Sequence, residues 1–466
     1  MKTAFFNLRL VTSNGVPTSG VIIEERGKLV SVSYQSEKLR GLIDTCDQKI
    51  DLGGHLVLPG VIDGHVHFDD PGFTQREDFA HGTRAAAAGG VTCVVDMPCT
   101  SIPPVTSKKN LEQKLNAISP KAHVDFMLWG GVSGDLIKAT DWQQSLQDLA
   151  KAGIAAIKVY LTSGMDTFKD LTRDEIETVV REAKTLGIPV GVHAEEKVIV
   201  EQLTKDLQSK GRNSLMDYAK SRPARAEVEA IRFLVDLCRK TGGHIHIVHL
   251  GSGEGLDLIA RAREDGLLIS CETCPHFLAF TENDLKNLGS ILKTAPVIKK
   301  AKDRERLWHG LSQREISFVA TDHAAGKWPE EKSTGSAWTD YGGIPGTELL
   351  LSYLYSEGVK KGRITLPRMI ELLSSGPAQF FGVNARKGSL APGYDADFTI
   401  FDDAATWTVA SEHLHNLNRY TPFEGCTMTG RVMATYVRGQ QVFERLPDGK
   451  EFFGKPGIGT FIRRLS

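Results

Sequence analysis

The chain has 466 residues, with 56 Lys and Arg against 57 Asp and Glu, and this near-zero balance gives no basis for binding nucleic acid or an acidic membrane through bulk charge. At 41% hydrophobic and 24% charged residues it has the composition of a globular enzyme with a large core. Its 7 scattered cysteines, an odd number, argue against a disulfide framework and for a reducing compartment. The first residues lack the apolar run of a signal peptide and no segment reaches the length of a membrane span, so the expected location is cytoplasmic.

Residues 1–57 carry short alternating apolar runs, at 20–25 and 28–33, between Asn-Gly, Arg-Gly and Gly-Gly turn signals, which predicts a small all-β piece. After Phe68 the texture changes to helix-like stretches alternating with compact apolar strands. Strands are expected at 60–62, 91–96, 124–129, 155–161, 189–192, 244–249, 267–271 and 317–320. Helices are expected at 173–184, after the N-cap residue Thr172, and at 226–240, stopped by Gly242 and Gly243. This alternation reads as an α/β fold, a TIM-like (β/α)8 barrel spanning 58–385. Short strands return at 397–401 and 432–437, so 1–57 and 386–466 are expected to pair as one small β-sandwich domain.

In a parallel barrel the C-terminal strand ends share one face, where catalytic groups collect. The first predicted strand leads into His65-Val66-His67, and alternation along an extended chain turns both imidazoles to one side. Lys158 sits inside the apolar run 157–160, His193 and His249 end the fifth and sixth strands, and Asp322 follows the eighth. Singly, each has a structural explanation: a hydrogen-bonded histidine, a lysine reaching for solvent, a helix cap. Their joint placement at one rim argues for a reaction centre instead. His246 and His323 fit less well and are assigned to packing or to support of the ligands.

The set His65-x-His67, Lys158, His193, His249 and Asp322 resembles the amidohydrolase superfamily, in the cyclic-amide branch that contains allantoinases, dihydroorotases and hydantoinases. The segment 388–397 resembles that superfamily's return to its sandwich domain. The resemblance implies that Lys158 is carboxylated and bridges two divalent metal ions, one held also by His65, His67 and Asp322, the other by His193 and His249. A carbamate offers two anionic oxygens, one for each cation, and such a pair can acidify water and polarise a carbonyl. Asp322 would move the proton from that water to the departing amide nitrogen. Zinc is the default, with manganese, cobalt and iron compatible. Similar enzymes are commonly homotetramers, so a homo-oligomer acting on a small cyclic ureide or amide is implied.

Within the branch, Asp96-Met97-Pro98-Cys99-Thr100-Ser101-Ile102-Pro103-Pro104 is similar to an allantoinase segment. Dihydroorotases place an arginine two residues after the second histidine to grip the substrate carboxylate, whereas this chain has Asp69. Ala295 stands where dihydroorotases commonly have asparagine. The run 73–79 and Cys99-Thr100 depart from the usual allantoinase residues. Candidate substrate contacts are Ser101, Cys99, His276, Ala295 and Gly343, the last in a glycine-rich loop that can offer backbone groups. The expected reaction is opening of allantoin to allantoate. A hydantoin, dihydropyrimidine or dihydroorotate ring is the alternative, and a non-catalytic scaffold is disfavoured because every ligand position is filled. Cys271 and Cys274 lack the second pair of a zinc ribbon and read as buried thiols. Gly251-Ser252-Gly253-Glu254-Gly255 lacks the Lys-Ser/Thr of a phosphate loop and reads as a flexible loop at the pocket.

Overall fold

The computed structural model describes residues 1–12, 14–34 and 36–465. Strands from both ends of the chain build one continuous sheet. The N-terminal contribution is β1 (Lys2–Val11), β2 (Pro17–Glu25), β3 (Lys28–Ser33), β4 (Gln48–Asp51) and β5 (Leu56–Pro59). In β5 only Pro59 is not fully buried, and the strand pairs with β1 and later with the C-terminal part.

The barrel strands follow. They are β6 (Val61–Val66), β7 (Val91–Asp96), β8 (Asp125–Leu128), β9 (Gly130–Gly131), β10 (Ile157–Tyr160), β11 (Val190–His193), β12 (Ile245–Ile247), β13 (Ile269–Thr273) and β14 (Phe318–Val319). The sheet is then completed by β15 (Phe398–Thr408), β16 (Thr427–Val437), β17 (Gln440–Arg445) and β18 (Glu451–Phe453), in the order β18-β17-β16-β15-β5-β1-β2-β3 with β4 on β1. Its aromatic core joins both termini, with Phe398 stacked on Tyr436 at 4.7 Å and edge-on to Phe5 at 4.9 Å. The N-terminal piece expected to be all β also holds a helix, Ser36–Asp44, which carries the crossover that the parallel pairing of β4 with β1 demands.

The barrel strands form a three-stranded sheet, β6-β7-β8, and a six-stranded one, β14-β13-β12-β11-β10-β9, all parallel. Backbone hydrogen bonds join the two at both seams. Ala155 N–H donates to Leu128 at 2.8 Å and Gly130 N–H to Ala156 at 2.9 Å, so β8 and β9 act as one stave interrupted at Trp129. At the other seam His67 N–H donates to His323 at 2.7 Å, which closes the barrel. Such closure leaves no sheet edge.

Helices cover the outside as their sequences require. Arg173–Thr185 begins in a capping box in which Thr172 and Glu175 exchange hydrogen bonds, and Ala224–Thr241 ends at Gly242 with φ of 66°. The lower interior is plugged by Trp129, Phe318 and Phe381, all fully buried. Gly191 admits that plug, since a Cβ there would lie 2.6 Å from the Trp129 ring. Below the rim the barrel is therefore filled by side chains, with His246 stacked on Phe318 among them.

The glycine-rich stretch 251–255 is not a flexible loop. It opens the helix Gly253–Glu264, with Gly251 N–H donating to Glu227 at 3.0 Å and Gly253 N–H to Asp303 at 2.9 Å, and all but Glu254 are buried. A buried backbone must find acceptors, and two carboxylates supply them here. Cys271 and Cys274 are buried free thiols. Among the described residues no helix is long and apolar enough to cross a membrane.

Candidate active site

Three side chains meet first. His65, inside β6, and His67, just past it, bring their Nε2 atoms to 3.3 Å, and each lies 3.1 Å from Oδ1 of Asp322. Asp322 follows β14 with φ of 50°, a left-handed conformation that aims its carboxylate at the histidines. His249 follows β12 with φ of 40° and brings Nε2 to 3.0 Å from Nδ1 of His193, the last residue of β11. Non-glycine residues held this way cost about 1–3 kcal/mol each and persist where surrounding structure enforces them, commonly at functional sites. The two groups abut, with the His65 and His249 rings 5.5 Å apart.

Lys158 on β10 lies among these groups and is fully buried. Among the described residues its Nζ has no hydrogen-bond partner, and it sits 4.8 Å from the centre of the Tyr160 ring. Burial pushes its pKa below the usual lysine range, so the amine is more readily neutral. Burial alone would raise the Asp322 carboxyl, but His65 and His67 outweigh it and hold Asp322 ionised. Its side chain is 14% exposed and that of His67 9%, whereas that of His65 is not exposed at all, so Asp322 and His67 form the more open side of the cluster.

A set of supporting groups escaped the sequence reading. Glu272 on β13 receives Nδ1 of His65 on one oxygen and Nε2 of His246 on the other, the latter at 3.2 Å. His246 thus reaches His65 through Glu272. Glu195 accepts from His193 Nε2 at 2.9 Å and pairs with Arg222. Burial would raise both carboxyl groups, yet Arg222 and His193 beside Glu195, and His65 and His246 beside Glu272, hold each at about 2. Asp63 accepts from Thr321 N–H at 2.9 Å and from its hydroxyl at 2.6 Å, which fixes the turn that presents Asp322. His323 contacts Glu77 at 3.2 Å and accepts from Gly346 N–H at 3.2 Å. Glu195 and Glu272 had no signal beyond proximity to a strand end, and a register shift in β6 between Asp63 and Val66 keeps Asp63 off the face that His65 and His67 share.

The candidate substrate contacts divide. Cys99 lies at the centre, its Sγ 3.1 Å from the Tyr160 hydroxyl and 3.7 Å from Nδ1 of His67. His276 is buried after β13, and among the described residues its Nε2 has no partner. Ser101 instead accepts from the buried Lys114 ammonium at 2.5 Å, beside Asp96. Gly343 spends its N–H on Lys293 at 2.9 Å and its carbonyl on Lys332 at 2.5 Å. Ala295 is half-buried, before Pro296.

A family model described as the amidohydrolase family matches residues 56–442, from the last N-terminal strand of the sheet through the whole barrel. The chain belongs to the amidohydrolase family. Among curated relatives it is similar to the allantoinase of Rubrobacter xylanophilus, 39% identical over 89% of each chain. It is also similar to that of Deinococcus radiodurans, 35% identical over 95% of this chain and 96% of the relative. Among solved structures it resembles the L-hydantoinase (dihydropyrimidinase) from Arthrobacter aurescens, with a TM-score of 0.91 and 30% identity over 99% of both chains. The dihydropyrimidinase from Brevibacillus agri gives a TM-score of 0.90 at 28% identity, covering 100% of this chain and 99% of the other. These folds carry the barrel and sheet seen here, as the α/β expectation required.

Proposed function

We propose that the chain is an allantoinase, a metal-dependent hydrolase that opens the cyclic amide of allantoin to the carboxylate of allantoate. One observation supports this most strongly: His65, His67 and Asp322 converge beside His193 and His249, with the buried Lys158 amine among them and without a hydrogen-bond partner among the described residues. A buried lysine amine with no hydrogen-bond partner among the described residues is a poor structural element, and its depressed pKa suits carbamate formation, which needs the neutral amine. The donor set fits divalent cations: His65, His67 and Asp322 would hold one and His193 and His249 another, and carboxylated Lys158 would add anionic oxygens to the set. Bound there, such ions supply Lewis acidity toward the ring carbonyl and lower the pKa of water.

The remaining steps fall to side chains. Glu272 and Glu195 fix the tautomers of His65 and His193 by taking the ring nitrogen that faces away from the centre. Asp322, ionised and partly exposed, accepts one proton of the attacking water and delivers it to the departing ring nitrogen; as the C–O bond forms the C–N bond breaks, leaving a neutral NH2 group and a carboxyl group that releases its proton to solvent as the carboxylate. The same reading makes zinc the resident metal, the enzyme a cytoplasmic homotetramer, and the chain a barrel of 58–385 beside a sheet domain of 1–57 and 386–466.

A hydantoin or dihydropyrimidine ring is the second reading, favoured by the similarity to solved hydantoinases. Turnover of allantoin, hydantoin, dihydrouracil and dihydroorotate by the metal-loaded protein, measured side by side, separates them. Preference for allantoin is expected; preference for an unsubstituted ring overturns the first reading in favour of the second.

A further inference from the structure

The candidate ligand histidines differ in what holds the ring nitrogen that faces away from the centre. Nδ1 of His65 turns to Glu272 and Nε2 of His193 to Glu195, both buried carboxylates. Nδ1 of His67 meets no carboxylate. Its neighbours are the Thr100 hydroxyl at 3.4 Å, long for a bond between nitrogen and oxygen, and the Cys99 sulfur at 3.7 Å, a separation that suits the larger atom. An imidazole that presents Nε2 to a metal carries its hydrogen on Nδ1, and that hydrogen needs an acceptor. For His67 the acceptor at hand is a thiol.

The same thiol has a second contact. Cys99 follows β7 and is fully buried, and its Sγ lies 3.1 Å from the Tyr160 hydroxyl, as the only partner of that hydroxyl among the described residues. Buried phenols need such a partner. The Tyr160 ring is stacked on His193, with centroids 5.2 Å and planes 25° apart, and Nζ of Lys158 sits 4.8 Å from its centre. Cys99 therefore joins the two halves of the centre. Through His67 it touches the group completed by His65 and Asp322, and through Tyr160 the pair His193 and His249. An apolar side chain here would strip the phenol of its partner and His67 of its sulfur acceptor.

We propose that Cys99 is a positioning residue: its sulfur accepts from Nδ1–H of His67 and its S–H donates to the Tyr160 oxygen. This holds Nε2 of His67 toward the centre and turns the phenolic hydrogen away from the thiol. The inference rests on the metal-dependent reading of the site and goes beyond it, since it gives Cys99 a role in ordering side chains in place of a contact with substrate.

The test compares metal-loaded wild type with four variants and the double variant Cys99→Val/Tyr160→Phe. Cys99→Ala and Cys99→Val remove both contacts, the second without emptying the space; Cys99→Ser keeps a donor and an acceptor; Tyr160→Phe removes only the hydroxyl. Metal retained per chain against a competing chelator is measured for each, with kcat and KM at saturating metal on the ring that wild type opens fastest. In Cys99→Val and Cys99→Ala, retention is expected to weaken about tenfold and kcat to fall about tenfold, with KM changed by less than about threefold. Cys99→Ser is expected to restore both to within about threefold of wild type, and the double variant to match Tyr160→Phe in kcat within about twofold. Wild-type retention and kcat in Cys99→Val overturn the inference. So does a Ser variant no better than the Val variant, which would mean that the thiol only fills space. A change confined to KM overturns it in favour of a substrate contact, and losses that multiply in the double variant overturn the link to Tyr160. Each of these results leaves the metal-dependent reading intact; a wild type that holds no metal overturns that reading and the inference with it.

Discussion

The carboxylate of Glu272 on β13 reaches across the barrel mouth to Nδ1 of His65 on β6, and this contact leaves Nε2 of that imidazole turned to Asp322 at 3.1 Å. A hydrogen-bonded carboxylate both orients a ligating imidazole and raises its basicity. Glu272→Gln is expected to weaken metal binding by about 10- to 100-fold, read as the metal retained per chain against a competing chelator. Unchanged retention would remove Glu272 from the account of the site.

Lys158 is the group whose chemistry the site depends on most. Lys158→Ala should lower metal stoichiometry, and the wild-type enzyme labelled with carbon-13 bicarbonate should show a carbamate signal that the variant lacks. A variant with full metal content and no change in spectrum would contradict the bridging carbamate.

Asp322→Asn preserves the size of the side chain and one oxygen while removing the proton acceptor. Retained metal with turnover lowered by about 10²- to 10⁴-fold is expected, measured at saturating substrate. Near-normal turnover would sink the proposed proton shuttle.

Stability rests partly on Lys387, whose fully buried ammonium contacts Asp125 at 2.8 Å, Asp395 at 3.3 Å and Asp397 at 2.5 Å. These carboxylates link barrel strand β8 to the approach to β15, and Arg438 joins them from beyond β16. Lys387→Met leaves the acids without their central cation, and a loss of about 3–5 kcal/mol is expected from urea unfolding. A loss below about 1 kcal/mol would show that Arg438 and Arg386 suffice.

His415 is clamped between Glu348 at 2.9 Å and Glu451 at 2.8 Å, which ties the barrel to β18. Burial alone would lower its pKa, but hydrogen bonds from both carboxylates outweigh that and hold it at about 9. Because the folded pKa lies above the ordinary value near 6.5, the stabilisation is complete below about pH 6.5 and is lost as pH rises through about 9. The difference in thermal midpoint between wild type and His415→Gln should therefore shrink between pH 6 and 10. A pH-independent difference would show that His415 acts through packing on Phe453 rather than through its charge.

That the side chains of the site gather in one place was legible because it depends on local geometry. A period of two turns His65 and His67 to one side, and parallel strands place the ends bearing His193, His249 and Asp322 on one rim. The capped helix Arg173–Thr185 and the β-rich ends followed from equally local signals, Thr172 with Glu175 and the alternating runs of β2 and β3. The helix Ser36–Asp44 went unseen among turn signals, and the buried glycines at 251–255 were read as loop because nothing nearby announces the acceptors Glu227 and Asp303.

By itself, then, the sequence determined the alternation of strand and helix, and with it which histidines, lysine and aspartate share the barrel mouth. Only the tertiary structure decided their partners, because those meetings are long-range: 207 residues separate His65 from Glu272, and 262 separate Lys387 from Asp125. The same holds for Asp69. Its sequence position shows no arginine, but that its oxygens lie buried with no hydrogen-bond partner among the described residues is a property of the folded barrel. Periodicity constrains the direction of a side chain along its own strand, whereas hydrogen-bond satisfaction depends on every element packed around it.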